Sequence, residues 1–454
     1  MKRRTCILAL ILTMVLLVLQ AVPVFAAQSS KPRPVAKAAL LMDAATGKVL
    51  YQKNATAPMQ PASLTKMMTA LLTVEHLDLD KTVTVPAEAA NIGGNSIALQ
   101  EGERLTVRQL LNALLIYSAN DTAVALGIAV SGDLNSFYDL MNARARELGM
   151  KDTHYISPNG LIESDEHVTT AKDTAILAQA VLENKTLAAI VRKSSYTVPA
   201  TNKSGERKLQ GTNKLLYDTK DKVTINGETR VLKYDGANGV KTGFMNAAGE
   251  CVAASAKRGG TDFIAVVLNS DSELHRFSDA IQLLDYGFDN YYTCRLLKAG
   301  EETGRVRVRY GHHTFVQTEA AEGAYITLPK EAERDLGDTE VVLDKDVRAP
   351  LKKGTVVGHI NIMENGKKTG TAPVTASVSV RRGGPWTALY IADWVFYTIC
   401  AVVLVLVILL LALSIRRRQR RRQQEMRRRR ERVRRARAAA ARRDDHRRRN
   451  WPYD

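Results

Sequence analysis

A charge-free apolar segment near the C-terminus, residues 394–415, limits what this chain can fold into more than any other feature. At about 1.5 Å per residue, a helix of this length reaches roughly 33 Å, enough to cross the hydrocarbon core of a bilayer. Tryptophan and tyrosine side chains cluster between Trp386 and Tyr397, as in the aromatic belt of a membrane span. A buried core helix is the alternative, but no folded domain follows to bury it. The pattern predicts a transmembrane helix over residues 392–415.

The positive charge of the chain is concentrated after this segment. Residues 416–454 contain 19 arginines and five acidic residues and so carry +14 of the net charge of +18. The body before the segment is about neutral, and the sequence does not indicate a nucleic-acid-binding domain. The positive-inside rule predicts an Arg-rich cytoplasmic tail that lies against anionic membrane lipid. Nucleic acid bound to this tail is the alternative, and no nucleic-acid partner is expected.

The first 26 residues form a predicted signal peptide. Basic residues at positions 2–4 precede an apolar core over residues 6–19, and Val24-Phe25-Ala26 offers the small residues that signal peptidase accepts. An uncleaved anchor is the alternative, and both predict an exported body. Cys251 and Cys294 lie in that body, where they could pair in an oxidising compartment, but sequence alone does not determine whether they do.

Three short motifs follow one another in the exported body: Ser63-Leu64-Thr65-Lys66, Ser118-Ala119-Asn120 and Lys241-Thr242-Gly243. Amide hydrolysis without a metal needs a nucleophile, a base, a proton donor for the leaving amine, and hydrogen-bond donors for the oxyanion. A serine at a helix N-terminus and a lysine one turn later share one helix face. Burial and a nearby cation, which Lys241 could supply, would lower the pKa of Lys66 towards neutrality.

The second and third motifs fit the same chemistry. Ser118 and Asn120 could point together into a cleft, where a serine relays a proton and an asparagine both donates and accepts hydrogen bonds. A lysine and backbone N–H groups at a strand edge could bind a carboxylate, and Gly243 would let substrate approach the backbone closely. Each motif alone has an ordinary explanation as a helix cap, a turn or an exposed strand. Their order and settings together favour one catalytic site.

The remaining patterns predict two folded domains. Predicted strands lie at residues 38–43, 48–51, 240–244, 251–256 and 263–268, with helices in the middle section and another at 273–286. This order predicts an α/β sandwich whose first and last strands share one sheet. Thr106 with Gln109 predicts a capping box, and Asn238-Gly239 predicts a turn. From about residue 300, alternating segments predict a small all-β domain that ends near Arg382.

At these motifs the sequence resembles the low-molecular-mass penicillin-binding proteins, the serine D-alanyl-D-alanine carboxypeptidases of the S11 peptidase type. The resemblance runs from about Ala38 to Val380 and is most specific at residues 61–68, 115–121 and 239–244, with a further similar stretch at 157–161 together with His167. It implies a sandwich of the penicillin-binding and serine β-lactamase type, with an antiparallel sheet and helices. The implied domains are a signal peptide (1–26), a catalytic transpeptidase-like domain (36–298), an all-β domain (300–382), a transmembrane helix (392–415) and a tail (416–454).

The resemblance also implies roles. Ser63 is acylated by the penultimate D-Ala carbonyl of peptidoglycan stem peptides ending in D-Ala-D-Ala, Lys66 is the base, and Ser118 passes a proton to the departing D-Ala. The resemblance implies that Asn120 holds the substrate amide, and that Lys241, Thr242 and Arg276 contact the terminal carboxylate. It also implies substrate contacts along the K-T-G strand at Gly243 and Phe244. The N–H groups of Ser63 and Phe244 would together form the oxyanion hole. β-Lactams would acylate the same serine. No metal and no cofactor are expected.

Three features depart from the family pattern. Met245 stands where a threonine is common, residues 217–234 form a longer segment than usual, and a membrane span with a basic tail replaces the usual amphipathic anchor helix. The alternatives are a β-lactamase, a D,D-endopeptidase and a non-catalytic cell-wall scaffold. A β-lactamase would need a residue that activates the deacylating water, and none is identifiable. His167 is expected to be structural, because Lys66 already supplies the base.

Overall fold

The computed structural model describes residues 31–90, 92–331, 337–364 and 366–449. The predicted signal peptide lies outside these residues. The chain forms two compact units. The first contains the described residues up to Leu296, together with those of Tyr325–Asp338 and Ile362–Gly370. The second contains Leu297–Ala324, Thr339–Asn361 and the chain from Thr371 onward.

The strands, in chain order, are β1 (Ala38–Asp43), β2 (Val49–Lys53), β3 (Thr82–Thr84), β4 (Arg104–Thr106), β5 (Ser195–Val198), β6 (Arg207–Gln210), β7 (Lys222–Ile225), β8 (Glu228–Val231), β9 (Ala237–Met245), β10 (Gly249–Arg258), β11 (Thr261–Ser270), β12 (Tyr291–Leu297), β13 (Glu302–Arg309), β14 (Phe315–Ala320), β15 (Ala324–Pro329), β16 (Asp338–Leu343), β17 (Val347–Arg348), β18 (Val356–Glu364) and β19 (Lys367–Ala376). The α-helices are α1 (Lys66–His76), α2 (Val107–Asn112), α3 (Asn120–Ser131), α4 (Leu134–Glu147), α5 (Ala171–Glu183), α6 (Lys185–Val191), α7 (Glu273–Asn290) and α8 (Asp393–Arg449). A 3-10 turn, Ala62–Thr65, leads into α1, and a π-helical turn, Ala113–Tyr117, follows α2.

The first unit is organised around an antiparallel sheet in the order β2-β1-β11-β10-β9. The first strand therefore lies beside one of the last, with Ala38 opposite Leu268, as the sequence predicts. Strand β1 is buried on both faces: Leu40 packs into the large cluster with the helices α1 to α6, and Leu41 packs into a second cluster with α7. Because β9 forms the edge of this sheet, the K-T-G motif lies where backbone groups can face a ligand.

Local sequence signals explain how the helices start. The Thr106 hydroxyl accepts from the Gln109 N–H, and the Gln109 side chain accepts from the Thr106 N–H, which completes the predicted capping box. The predicted turn at Asn238-Gly239 is wrong, because both residues lie inside β9. The register shifts where Ser255 faces Gly239 and Ala256 faces Ala237, so that a bulge in the ladder absorbs the turn-forming residues.

Strands towards the C-terminus form a sheet in the order β16-β18-β19-β14-β13-β17, as expected for a small all-β domain. Helix α8 runs without interruption from Asp393 to Arg449, so the predicted span and most of the Arg-rich tail form a single helix. Among the described residues, this is the helix whose length and composition suit a membrane crossing. Cys251 and Cys294 are free thiols, and Cys251 is buried.

Candidate active site

The turn that carries Ser63 is held tightly in place. Ala62 has a φ of 46°, a left-handed conformation that residues with a side chain rarely adopt. The Thr65 hydroxyl donates to the Ala62 carbonyl at 2.8 Å, and Nε2 of His167 lies 2.9 Å from the same hydroxyl. A Cβ on Gly160 would lie 1.9 Å from the Ala62 carbonyl oxygen, so only glycine fits there. Strain of this kind is typical of functional sites.

Lys66 lies one turn after Ser63 and its side chain is fully buried. Its Nζ is 2.7 Å from Ser63 Oγ, 2.7 Å from Asn120 Oδ1 and 2.8 Å from the Asn159 carbonyl oxygen. The Asn120 amide donates through Nδ2 to the Gly93 carbonyl at 2.8 Å, which fixes its orientation and turns Oδ1 towards the lysine. The first and second predicted motifs therefore meet at one atom.

The environment of Lys66 disfavours its charged form. Burial is the main cause that lowers the pKa of Lys66 well below its usual value, and the charge of Lys241 lowers it further. The carboxylate of Asp121 acts in the opposite direction. Asp121 is itself buried and accepts from the Ile97 and Leu99 N–H groups at 3.0 and 3.1 Å, which fixes the loop before it.

Ser118 ends the π-helical turn with a φ of 70°, a second left-handed residue in the site. Asn120 then opens α3, and its N–H donates to the Asn95 carbonyl at 2.7 Å. A Cβ on Gly94 would lie 2.7 Å from Asn120 Nδ2, so the loop at residues 93–95 packs against this motif at backbone distance.

The contribution of Asn159 was missed by reasoning from the sequence. Its carbonyl accepts from Lys66, while its side-chain oxygen accepts from the Ser157 hydroxyl at 2.9 Å. The sequence signal for this segment was the similarity of residues 157–161 to the family, which does not indicate that the Asn159 carbonyl contacts Lys66. His167 supports the same segment through Nδ1, which accepts from the Ile156 N–H at 3.1 Å. Burial lowers the pKa of His167 to about 4, so the ring is neutral and structural.

The third motif lies on β9 beside the serine turn. A Cβ on Gly243 would lie 3.1 Å from the Ser63 nitrogen and 3.2 Å from the Pro61 carbonyl oxygen, which places the strand edge against that turn. The Thr242 hydroxyl donates to the Thr212 hydroxyl at 2.6 Å. The Phe244 side chain is 57% exposed at the rim of the cleft.

Lys241 is buried, whereas the alternative in which the K-T-G motif is only part of an exposed strand would leave this lysine exposed. Its ammonium donates to the Thr242 carbonyl at 2.7 Å. Burial, followed by the charge of Arg276, lowers the pKa of Lys241 to about 7. Lys241 therefore changes between its charged and neutral forms near neutral pH, and its charged form disfavours a charge on Lys66.

Arg276, on the first turn of α7, is 4% exposed and reaches the same strand. Its Nη1 donates to the Gly243 carbonyl at 3.2 Å and to the Glu250 carboxylate, and its Nη2 donates to Glu273 at 3.2 Å. Neither glutamate was among the residues predicted for the site. The Arg276 guanidinium thus lies beside the K-T-G strand and is already paired with two glutamates.

These groups surround a cleft of about 620 Å³. Its lining comprises Ser63, Gly94, Asn95, Ser118, Asn120, Gly160, Leu161, Glu163, Gly211, Thr212, Lys214, Tyr217, Thr242, Gly243, Phe244, Met245, Asn246, Glu250, Glu273 and Arg276. Lys66 and Lys241 are fully or nearly fully buried behind these residues. The arrangement offers a serine hydroxyl to the cleft while keeping its basic partner away from water, which suits covalent catalysis.

Comparison with known proteins agrees with this geometry. Residues 25–272 match the family model of the D-alanyl-D-alanine carboxypeptidases, peptidase S11. The chain belongs to this family. In this D-alanyl-D-alanine carboxypeptidase family member, residues 291–382 match the C-terminal domain of penicillin-binding protein 5. The resemblance found from the motifs is confirmed, and so is the class of enzyme, a serine-type carboxypeptidase.

Individual relatives cover most of this carboxypeptidase family member. D-alanyl-D-alanine carboxypeptidase DacF of Bacillus subtilis is 33% identical over 369 residues, which cover 79% of this chain and 90% of the relative. Penicillin-binding protein 5 from Haemophilus influenzae has a TM-score of 0.61 at 27% identity, and the comparison covers 78% of this chain and 99% of that chain. Penicillin-binding protein 6B from Escherichia coli has a TM-score of 0.57 at 27% identity, with 76% of this chain and 97% of that chain covered. These neighbours confirm the predicted fold class.

Proposed function

We propose that this chain removes the terminal D-alanine from peptidoglycan stem peptides ending in D-Ala-D-Ala, with Ser63 as the nucleophile and Lys66 as the base. The observation that carries the proposal is the fully buried Lys66 amine, 2.7 Å from Ser63 Oγ. A lysine can take a proton from serine only when it is neutral, and its burial beside Lys241 favours that form.

The three hydrogen-bond partners of Lys66 accommodate both its charged and its neutral form. A neutral amine has two N–H donors and one lone pair. Asn120 Oδ1 and the Asn159 carbonyl can only accept, so they take the two N–H groups. In the neutral form, the lone pair would face Ser63 Oγ, 2.7 Å away, and would receive its proton as the serine attacks the penultimate D-Ala carbonyl.

The remaining steps use groups at the cleft surface. The N–H groups of Ser63 and Phe244 would hold the oxyanion, because Gly243 lets the edge strand approach the serine turn closely. Ser118 lines the same cleft and would pass the proton to the departing D-alanine. Asn120 would hold the substrate amide while it orients Lys66.

The terminal carboxylate of the substrate would meet the third motif. The Thr242 hydroxyl faces the cleft, Lys241 supplies positive charge from behind it, and Arg276 lies beside the Gly243 carbonyl. A β-lactam carries a carboxylate next to its reactive carbonyl and would bind in the same way, leaving an acyl-enzyme on Ser63. Water then releases the product of either reaction.

We further propose that the enzyme is a single-pass membrane protein whose catalytic domain (36–298) and all-β domain (300–382) lie outside the cytoplasmic membrane. The apolar part of α8, whose side chains are exposed, supports a membrane span, and the arginines that follow it support a cytoplasmic tail bound to anionic lipid.

The test is release of D-alanine from a peptide ending in D-Ala-D-Ala by the purified full-length chain in detergent. Release that disappears in Ser63→Ala and after addition of penicillin is the expected result. A folded chain that is acylated by penicillin but releases no D-alanine would refute the carboxypeptidase and favour a D,D-endopeptidase or a scaffold. Rapid turnover of penicillin would favour a β-lactamase.

A further inference from the structure

Two acidic side chains hold Arg276, the arginine that donates to the Gly243 carbonyl of the K-T-G strand. Arg276 donates to the Glu250 carboxylate through Nη1, the same nitrogen that donates to the Gly243 carbonyl, and to Glu273 through Nη2 at 3.2 Å. The Arg276 side chain is 5% exposed. Its charge is therefore paired within the protein before any substrate arrives, although its Nε has no hydrogen-bond partner among the described residues.

The position of Glu250 follows from the register of the β9–β10 hairpin. Glu250 lies directly opposite Phe244, the residue after the K-T-G motif, and lines the cleft. Its carboxylate occupies the Nη1 side of Arg276 that faces this strand. A substrate carboxylate that binds Arg276 beside Gly243 would compete with Glu250 for this nitrogen.

The two glutamates differ in their surroundings. Glu273 is 42% exposed and shares its charge with Lys214, whose Nζ lies 2.8 Å away. Glu250 is only 16% exposed and forms its ion pair with Arg276. Burial raises the pKa of Glu250, Glu273 raises it further, and Arg276 and Lys214 oppose that rise. Burial therefore disfavours the charged form of Glu250, so exchange of this carboxylate for that of a substrate would return part of its desolvation cost while Arg276 stays paired.

We propose that Glu250 is a specificity-determining residue, an internal carboxylate that occupies Arg276 and is displaced by the terminal carboxylate of the substrate. This inference rests on the proposed function, since it concerns the carboxylate end of the same cleft. Glu250 sets how strongly a free carboxylate must bind before the enzyme accepts it. Substrates with that group exchange one ion pair for another, whereas substrates without it leave the internal pair intact.

The decisive experiment compares Glu250→Gln with wild type in D-alanine release by the full-length chain in detergent. The amide has the shape of the carboxylate but no charge, so the substrate displaces it more easily. KM for the D-Ala-D-Ala peptide should fall about fivefold, equivalent to about 1 kcal/mol, because only the net difference between two ion pairs is released, with kcat changed less than twofold. An unchanged or increased KM would overturn the proposal, because it would mean that Glu250 only supports Arg276.

Glu273→Gln is the matched control, because it removes an equal charge from the same guanidinium without vacating Nη1. Its KM should fall clearly less than that of Glu250→Gln; an equal fall in both variants would replace the proposal by a general effect of negative charge. If wild type releases no D-alanine at all, the proposed function fails, and that outcome is distinct from a normal enzyme with an unchanged variant.

Discussion

Substitution of Gly243 by alanine tests whether the edge of β9 and the serine turn together form the oxyanion hole. The added Cβ would lie 3.1 Å from the Ser63 nitrogen, 3.2 Å from the Pro61 oxygen and 3.3 Å from the Ala62 Cβ. Favourable contacts between carbon atoms start at about 3.5 Å, so the strand and the turn must separate by a few tenths of an ångström. The Ser63 N–H would then be partly blocked by the methyl group.

The expected losses differ for activity and for stability. Loss of one oxyanion donor lowers kcat by about 10²–10³-fold, and we expect a decrease of about 10²-fold, or roughly 2.7 kcal/mol in activation free energy. Overpacking costs roughly 1–3 kcal/mol of unfolding free energy, and the better strand propensity of alanine returns about 0.5 kcal/mol. The variant should therefore remain folded while its catalysis is largely lost.

The assay is D-alanine release, with thermal unfolding measured on the same preparations. Gly205→Ala is the matched control, because its Cβ would meet nothing within 4 Å and its backbone is free of a positive φ. It should behave as wild type in both measurements. If Gly243→Ala retained activity within threefold of wild type, the assignment of the oxyanion hole to this edge would be refuted. Complete unfolding would refute the estimate that the neighbours need to yield only slightly.

Three further outcomes are expected. Lys66→Arg should lower D-alanine release by about 10³-fold with the fold retained, because a guanidinium does not lose its proton, and activity within tenfold of wild type would exclude Lys66 as the base. The pKa of His167 is about 4 in the folded protein, whereas an unperturbed histidine has a pKa of 6.5, so the unfolded chain binds more protons between these two values. The free energy of unfolding, measured in urea titrations, should therefore fall by roughly 2–3 kcal/mol from pH 7 to pH 4.5. This pH dependence should weaken in His167→Gln. Thr106→Ala should cost about 1 kcal/mol in the same titrations and leave D-alanine release unchanged, whereas a loss of release would show that the cap also positions the site.

Much of the fold was predictable because its signals are local. The apolar segment at β1, the capping box at Thr106 and the serine at the start of α1 each depend on residues a few positions apart. The pairing of β1 with β11 followed from the strand-helix-strand order. The turn predicted at Asn238-Gly239 also rested on a local sequence signal, and that prediction was wrong. A local preference was overridden there by the sheet, which accommodates the extra residue as a bulge.

The candidate site was predictable only in part. The motifs supplied the nucleophile, its basic partner and the strand, because their chemistry is concentrated in a few adjacent residues. Asn159 and Glu250 contribute through contacts that depend on long-range packing, whereas Glu273 lies three residues before Arg276 on the same helix. For Glu250 a usable signal did exist, because a hairpin after Phe244 places it opposite that residue. For Asn159 the decisive group is a backbone carbonyl, which carries no mark in the sequence.

The buried charges form a chain that links the carboxylate end of the cleft to the base. Lys241 helps to keep Lys66 neutral, Arg276 helps to lower the pKa of Lys241 to about 7, and Glu250 partly balances Arg276. A carboxylate bound near Lys241 favours its charged form. Charged Lys241 in turn disfavours a second charge on Lys66. Substrate that carries a terminal carboxylate therefore strengthens the very condition, a neutral Lys66, that attack by Ser63 requires.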